Sequence, residues 1–214
     1  MSSAPQHSIG DLSTVVLCGG GGRRMGGRDK PLEALNGQPL VAHVLKSLPE
    51  GPVVISANRS LTRYREFGWP VISDREISDR GDQDASNNTP ELTPRYQGPL
   101  AGVIAASEQL MTPWIYVVAG DTPLIPKDLA HELVETCKQE NAPAACAWAE
   151  RAQPLPFVMK RDQLHAMSAY LATGNRSVMG WLQKLKHATL DRTNDAANFV
   201  NVNTPAELAA LSSP

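Results

Sequence analysis

Cysteine is scarce in this chain of 214 residues, and so is any pattern that would put it to structural use. Cys18, Cys137 and Cys146 are odd in number, lie far apart and form no C-x-x-C pair. That argues against a disulfide framework or a structural zinc site and favours a reducing compartment. The five histidines are scattered without an H-E-x-x-H spacing, so a histidine-built metal centre is not expected. No apolar run approaches the length of a membrane span. The opening MSSAPQHSIGDLS has no apolar stretch of the kind a secretory signal needs, which predicts a cytoplasmic protein with a short disordered tail over residues 1–13. Positive charge is not in excess either. The formal net charge of −2 gives no global attraction for nucleic acid or an anionic membrane, and neither is expected as a partner.

What is present is a regular alternation of short apolar runs and helix-like stretches. Thr14–Leu17 (TVVL), Pro52–Ala57, Pro70–Ser73, Trp114–Ala119 (WIYVVA), Ala144–Ala149, Pro156–Met159 and Phe199–Val202 read as strands. Pro39–Leu48, Leu61–Phe67, Pro99–Met111, Lys127–Glu140, Arg161–Ala172 and Ser177–Lys186 read as helices. A last helix opens at Thr204, with Pro205 at its first position and Glu207 three residues on, the pattern of a capping box. Strands alternating with helices predict an α/β fold with a mostly parallel sheet and helices on both faces. The length suits one domain, expected over residues 14–214. Asp79–Gln97 is almost wholly polar or turn-forming and is expected to be a flexible surface insertion. In such sheets ligands sit beyond the carboxyl ends of the strands, so chemistry is sought there.

The segment LCGGGGRRMGGRDK (Leu17–Lys30) follows the first strand directly. Gly19–Gly22 let the backbone approach a ligand closely, and their N–H groups can cradle phosphate oxygens. Arg24 and Lys30 can neutralise phosphate charge, one as a planar fork and the other as a point charge. A flexible glycine turn with solvated bases is the alternative. The loop lacks the G-K-[ST] ending of a Walker A sequence and departs from G-x-G-x-x-G at Arg24 and Met25, which counts against a P-loop NTPase and a dinucleotide oxidoreductase.

G-G-x-x-x-R-M-G-x-x-K after a strand resembles the signature of the nucleotidyltransferases, and the string LCGGGGRRMGGRDKPL is similar to the molybdenum cofactor guanylyltransferases. SANR (Ser56–Arg59), GPLAG (Gly98–Gly102), GDTP (Gly120–Pro123) and NVNTPAEL (Asn201–Leu208) agree with that family in order and position. The resemblance runs from Thr14 over nearly the whole chain. It implies a three-layer α/β/α Rossmann-like nucleotidyltransferase fold, and transfer of GMP from GTP to molybdenum-molybdopterin with Mg²⁺ as cofactor. It also implies handover to molybdoenzyme-maturation proteins. Related alternatives are a cytidylyltransferase acting on the same cofactor and a sugar-phosphate nucleotidyltransferase. A different class is a non-catalytic nucleotide-binding module.

The same resemblance distributes the roles. Leu17, Cys18, Gly19, Gly20, Lys30, Asn58, Asp74, Gly102 and Asp121 are implied in nucleotide binding. Arg24, Lys30 and Asp121 are implied in catalysis, with Asp121 as the metal ligand. Arg176, Asn201 and Asn203 are implied at the pterin, the two asparagines sharing one face if Phe199–Val202 is a strand. Read locally, Asp121 could as well cap the D-T-P turn, Asn58 and Asp74 could make Asx turns, Asn203 could cap the next turn and Arg176 could be a solvated arginine. Cys18 stands where the family usually has alanine and reads as a small buried residue, not as a nucleophile.

Overall fold

The computed structural model describes residues 10–19, 29–73, 98–202 and 204–212. Nine strands are assigned among them: β1 (Leu12–Leu17), β2 (Ala34–Leu35), β3 (Gln38–Pro39), β4 (Val53–Ser56), β5 (Val71–Ile72), β6 (Trp114–Ala119), β7 (Ala144–Ala149), β8 (Arg151–Lys160) and β9 (Ala188–Asp191). The helices are α1 (Leu40–Lys46), α2 (Leu61–Arg65), α3 (Pro99–Ser107), α4 (Leu129–Gln139), α5 (Leu164–Ala172), α6 (Val178–Lys184) and α7 (Pro205–Ser212).

Seven strands form one sheet in the order β5-β4-β1-β6-β8-β7-β9. β1 and β6 pair in parallel over their whole lengths, from Leu12 opposite Trp114 to Leu17 opposite Ala119. Both are buried at every position, as apolar runs in the middle of a covered parallel sheet should be. Their side chains alternate between two cores. Val16, Tyr116 and Val118 face the layer of α1, α2 and α4, with Val41, Val44, Tyr64 and Leu133. Val15, Ile115 and Val117 face the layer of α3, α5 and α6, with Leu100, Val103, Met167 and Trp181. The expected three-layer α/β/α arrangement is therefore present, and no described helix is long and apolar enough to cross a membrane.

Several boundaries differ from the sequence reading. Leu12 and Ser13, assigned there to the tail, are buried in β1. The sheet is mixed at one strand, because β8 runs antiparallel to both neighbours and is longer than Pro156–Met159. Phe199–Val202 is not a strand: 3-10 turns occupy Thr193–Phe199, and Val200–Val202 belongs to no ladder. Its apolar character comes from packing. Val202 is buried against Leu35 and Leu40, and its N–H donates to the Asp121 carbonyl at 3.0 Å. The last strand is instead β9, whose ATLD sequence is partly exposed and carries little periodic signal. A β2–β3 hairpin also precedes α1. Its turn residues Asn36 and Gly37 have φ of 50° and 78°, the conformation that favours Asn-Gly in a two-residue hairpin. The capping box at α7 is formed as expected: Thr204 N–H donates to Glu207 Oε2 at 2.9 Å, and Glu207 N–H donates to Thr204 Oγ1 at 3.2 Å. The Asp79–Gln97 stretch lies outside the described residues.

Candidate active site

The carboxyl ends of β1, β4 and β6 open onto a cleft of about 270 Å³. Leu17, Cys18 and Gly19 enter it from β1, Lys30 from a short 3-10 turn (Lys30–Leu32), Asp121 from the turn after β6, and Asn201 from the segment before α7. Five of the positions implied for the nucleotide, together with Asn201, therefore line one space. A side recess continues from Leu17 and Gly19 to Ser56, Asn58, Gly98 and Gly102, which brings two more of them to the same edge. Arg24, Gly20, Asp74 and Asn203 lie outside the described residues.

Asp121 stands two residues beyond the end of β6, not at its last position. The turn there is closed by Thr122, whose hydroxyl donates to the Ala119 carbonyl at 2.8 Å. The Asp121 carboxyl also takes a hydrogen bond from the backbone of its own turn, so both residues help to close it. Burial pushes the Asp121 carboxyl above its ordinary range, and the nearby Lys30 ammonium pulls it back down. A partly desolvated carboxylate opposed by one lysine suits a cation shared with a polyanionic ligand.

Cys18 is 1 % exposed and packs against Gly120. Burial raises its thiol well above the usual range, and the charges of Asp29 and Asp121 raise it further. A thiol held protonated is a packing residue, not a nucleophile, as the sequence reading has it. Asn58 accepts a hydrogen bond at Oδ1 from the Ser73 hydroxyl, at 2.8 Å, while its Nδ2 lies on the Gly19 side. Gly102 has a steric reason to be glycine: a Cβ there would lie 2.5 Å from Ser56 Oγ and 3.3 Å from Leu17 Cδ2. Helix α3 can approach β1 and β4 this closely only because that atom is missing.

The pterin-side expectations fare unevenly. Asn201 is in the cleft, but strand alternation does not put it there, since no strand is present. Arg176 lies beside Gly98 and is exposed, and its guanidinium donates to the carbonyls of Leu171 at 2.8 Å and Asn175 at 2.9 Å. It closes the end of α5 and is not among the residues that line the cleft. Sequence reasoning missed Asp29, Arg59, Pro99 and Leu155, all of which line the cleft. Leu155 arrives through a break in the β7–β8 register between Cys146 and Trp148, and the prolines on either side of it, Pro154 and Pro156, were the local signal of that break. Arg59 was visible within SANR, but its partner 30 residues earlier in the chain was not.

A glycine-containing strand exit, a lysine and a carboxylate gather at the carboxyl edge of a doubly covered sheet, the edge at which α/β proteins of this architecture take their ligands. Residues 14–189 match the model of the MobA-like NTP transferase domain, and the chain belongs to that family of nucleotidyltransferases. Its similarity to particular members is close. It is 37% identical over 204 residues to the molybdenum cofactor guanylyltransferase of Shewanella sediminis, covering 94% of this chain and 95% of that protein, and 37% identical to its namesake in Shewanella loihica over the same shares. Among solved structures, the molybdopterin-guanine dinucleotide biosynthesis protein A of Archaeoglobus fulgidus shares the fold with a TM-score of 0.70 at 20% identity, over 94% of this chain and 96% of that one. A 4-diphosphocytidyl-2C-methyl-D-erythritol synthase from Anaerococcus prevotii shares it at 0.67 and 9% identity, over 95% of each chain.

Proposed function

We propose that the cleft binds GTP with its triphosphate on the glycine-rich loop and Lys30, and that its guanylyl group passes to molybdenum-molybdopterin. The terminal phosphate oxygen of the pterin forms a bond to the α-phosphorus, the bond from that phosphorus to the β-phosphate oxygen breaks, and pyrophosphate leaves. The product is molybdopterin guanine dinucleotide. The observation that carries the reading is the meeting of Lys30 and Asp121 across one cleft at the ends of β1 and β6. The names of the relatives supply the two substrates.

Transfer of this kind needs positioning and charge stabilisation more than covalent chemistry by the protein. Lys30, with Arg24 from the loop, would offset charge on the phosphates. Leu17, Cys18, Gly19 and Gly20 would offer backbone groups to the nucleotide, and Asn58, Asp74 and Gly102 would frame the nucleoside. Arg176, Asn201 and Asn203 would take the pterin side. Asp121 fits Mg²⁺ in being a hard oxygen donor at the lip of the cleft, beside the position read for the phosphates. One carboxylate completed by phosphate oxygens and water is an ordinary Mg²⁺ environment. When bound there, the ion supplies neutralisation of the triphosphate charge. A reaction in the cytoplasm and delivery to molybdoenzyme-maturation proteins follow from the family resemblance.

Calorimetry with Mg²⁺, comparing GTP with CTP, ATP and UTP, tests the reading. Selective GTP binding that is lost in Lys30→Ala supports it. A preference for CTP moves the protein to the cytidylyl relatives. Full transfer activity in Asp121→Ala removes the metal role.

A further inference from the structure

Lys30 owes its place to the residue before it. The Asp29 side chain is 8 % exposed although it borders the cleft. Its Oδ1 accepts a hydrogen bond from the Tyr64 hydroxyl at 2.9 Å, and Tyr64 is fully buried on α2. Its Oδ2 faces Arg59 Nε at 3.6 Å and accepts no hydrogen bond among the described residues. Its backbone carbonyl accepts from Leu32 N–H at 2.9 Å, which starts the 3-10 turn that carries Lys30. A desolvated carboxylate held this way adds little net stability over an apolar replacement, so the arrangement is better explained by the geometry it enforces.

We propose that Asp29 is a positioning residue. Gripped by Tyr64 and set against Arg59, it fixes Lys30 opposite Asp121. It also ties the Asn58–Arg59 side of the cleft, where β4 ends, to the side where the phosphates lie. The proposal rests on the reading of Lys30 as a triphosphate ligand.

The test is a double-mutant cycle on the full chain, reading kcat/KM for GTP in GMP transfer, with melting temperature alongside. Asp29→Asn removes the charge, and Tyr64→Phe removes one hydroxyl while keeping the ring in the core. Each is combined with Lys30→Ala. If Asp29 acts through Lys30, either change lowers kcat/KM about tenfold or more in the parent enzyme and less than about twofold in the Lys30→Ala background. Equal losses in both backgrounds, or no loss in the parent, overturn the proposal, because a role in folding alone would be felt whether or not Lys30 is present. If Asp29→Asn does not fold, Tyr64→Phe decides. Full activity of Lys30→Ala by itself overturns the triphosphate reading, and the clamp with it. That result differs from one in which Lys30→Ala is impaired and the second change is additive.

Discussion

The Ser73 hydroxyl donates to Oδ1 of Asn58 across the ends of β5 and β4, at 2.8 Å. With the oxygen so engaged, the amide nitrogen lies on the Gly19 side of the recess. Ser73→Ala removes a partner that holds this orientation. GTP affinity is expected to fall by a factor corresponding to about 1 kcal/mol, with a smaller gap between GTP and the other nucleotides. Calorimetry on the variant reads both, and unchanged affinity with unchanged selectivity would remove the orienting role.

Asp121 is expected to cost the protein stability. Its folded pKa lies above the ordinary carboxylate value, mainly because it is desolvated. The folded state therefore holds the proton more tightly than the unfolded chain, and stability is lost as pH rises from the ordinary value of 3.8 through the raised one. Below that window the carboxyl is neutral in both states and the cost vanishes. Asp121→Asn should accordingly melt higher than the parent at neutral pH, converge with it in acid, and be inactive in GMP transfer. A variant that melts lower at neutral pH would show that the Lys30–Asp121 attraction outweighs the burial.

Gly102→Ala places a methyl group 2.5 Å from Ser56 Oγ. Relief requires the buried Ser56 and Leu17 side chains to change rotamer or α3 to move outward, at a cost of about 1–3 kcal/mol. The melting temperature should drop, and nucleotide affinity should fall with it because the recess is lined from both sides of that contact. Wild-type stability in the variant would mean that α3 or these side chains shift freely.

Arg192 supplies a contrast away from the cleft. It is largely buried, pairs with Glu132 and Asp195, the latter at 2.8 Å, and reaches Asp128 at 3.6 Å. The acids are exposed enough to be screened by solvent, so Arg192→Ala should cost about 1–2 kcal/mol, less at high salt. Nucleotide binding should be unchanged. Chemical denaturation at two salt concentrations checks the first part and calorimetry the second.

How far the sequence could be read depended on where each element draws its order from. β1 and β6 were legible because a strand buried on both faces needs an unbroken apolar run, and TVVL and WIYVVA are such runs. ATLD at β9 was not, since an edge strand held by one parallel neighbour can be short and half polar. FVNV misled for the opposite reason: Val202 is apolar because it fills a small core with Leu35 and Leu40, not because it belongs to a ladder. At the site, Lys30 stood out as a base that follows a glycine-rich strand exit, whereas Asp121 was singled out only by the resemblance of GDTP to the family. Asp29 and Tyr64 did not stand out. Their partnership spans 35 residues, and each has an ordinary local reading that only the folded chain displaces.

β8 enters the sheet against the direction of its neighbours, so its first half, where the others have their last residues, reaches the cleft through Leu155. The wall it contributes is laced to β7 on one side and, on the other, to β6, the strand that leads to Asp121. A change of side chain at Leu155 therefore reshapes the cleft from a strand that carries neither Lys30 nor Asp121.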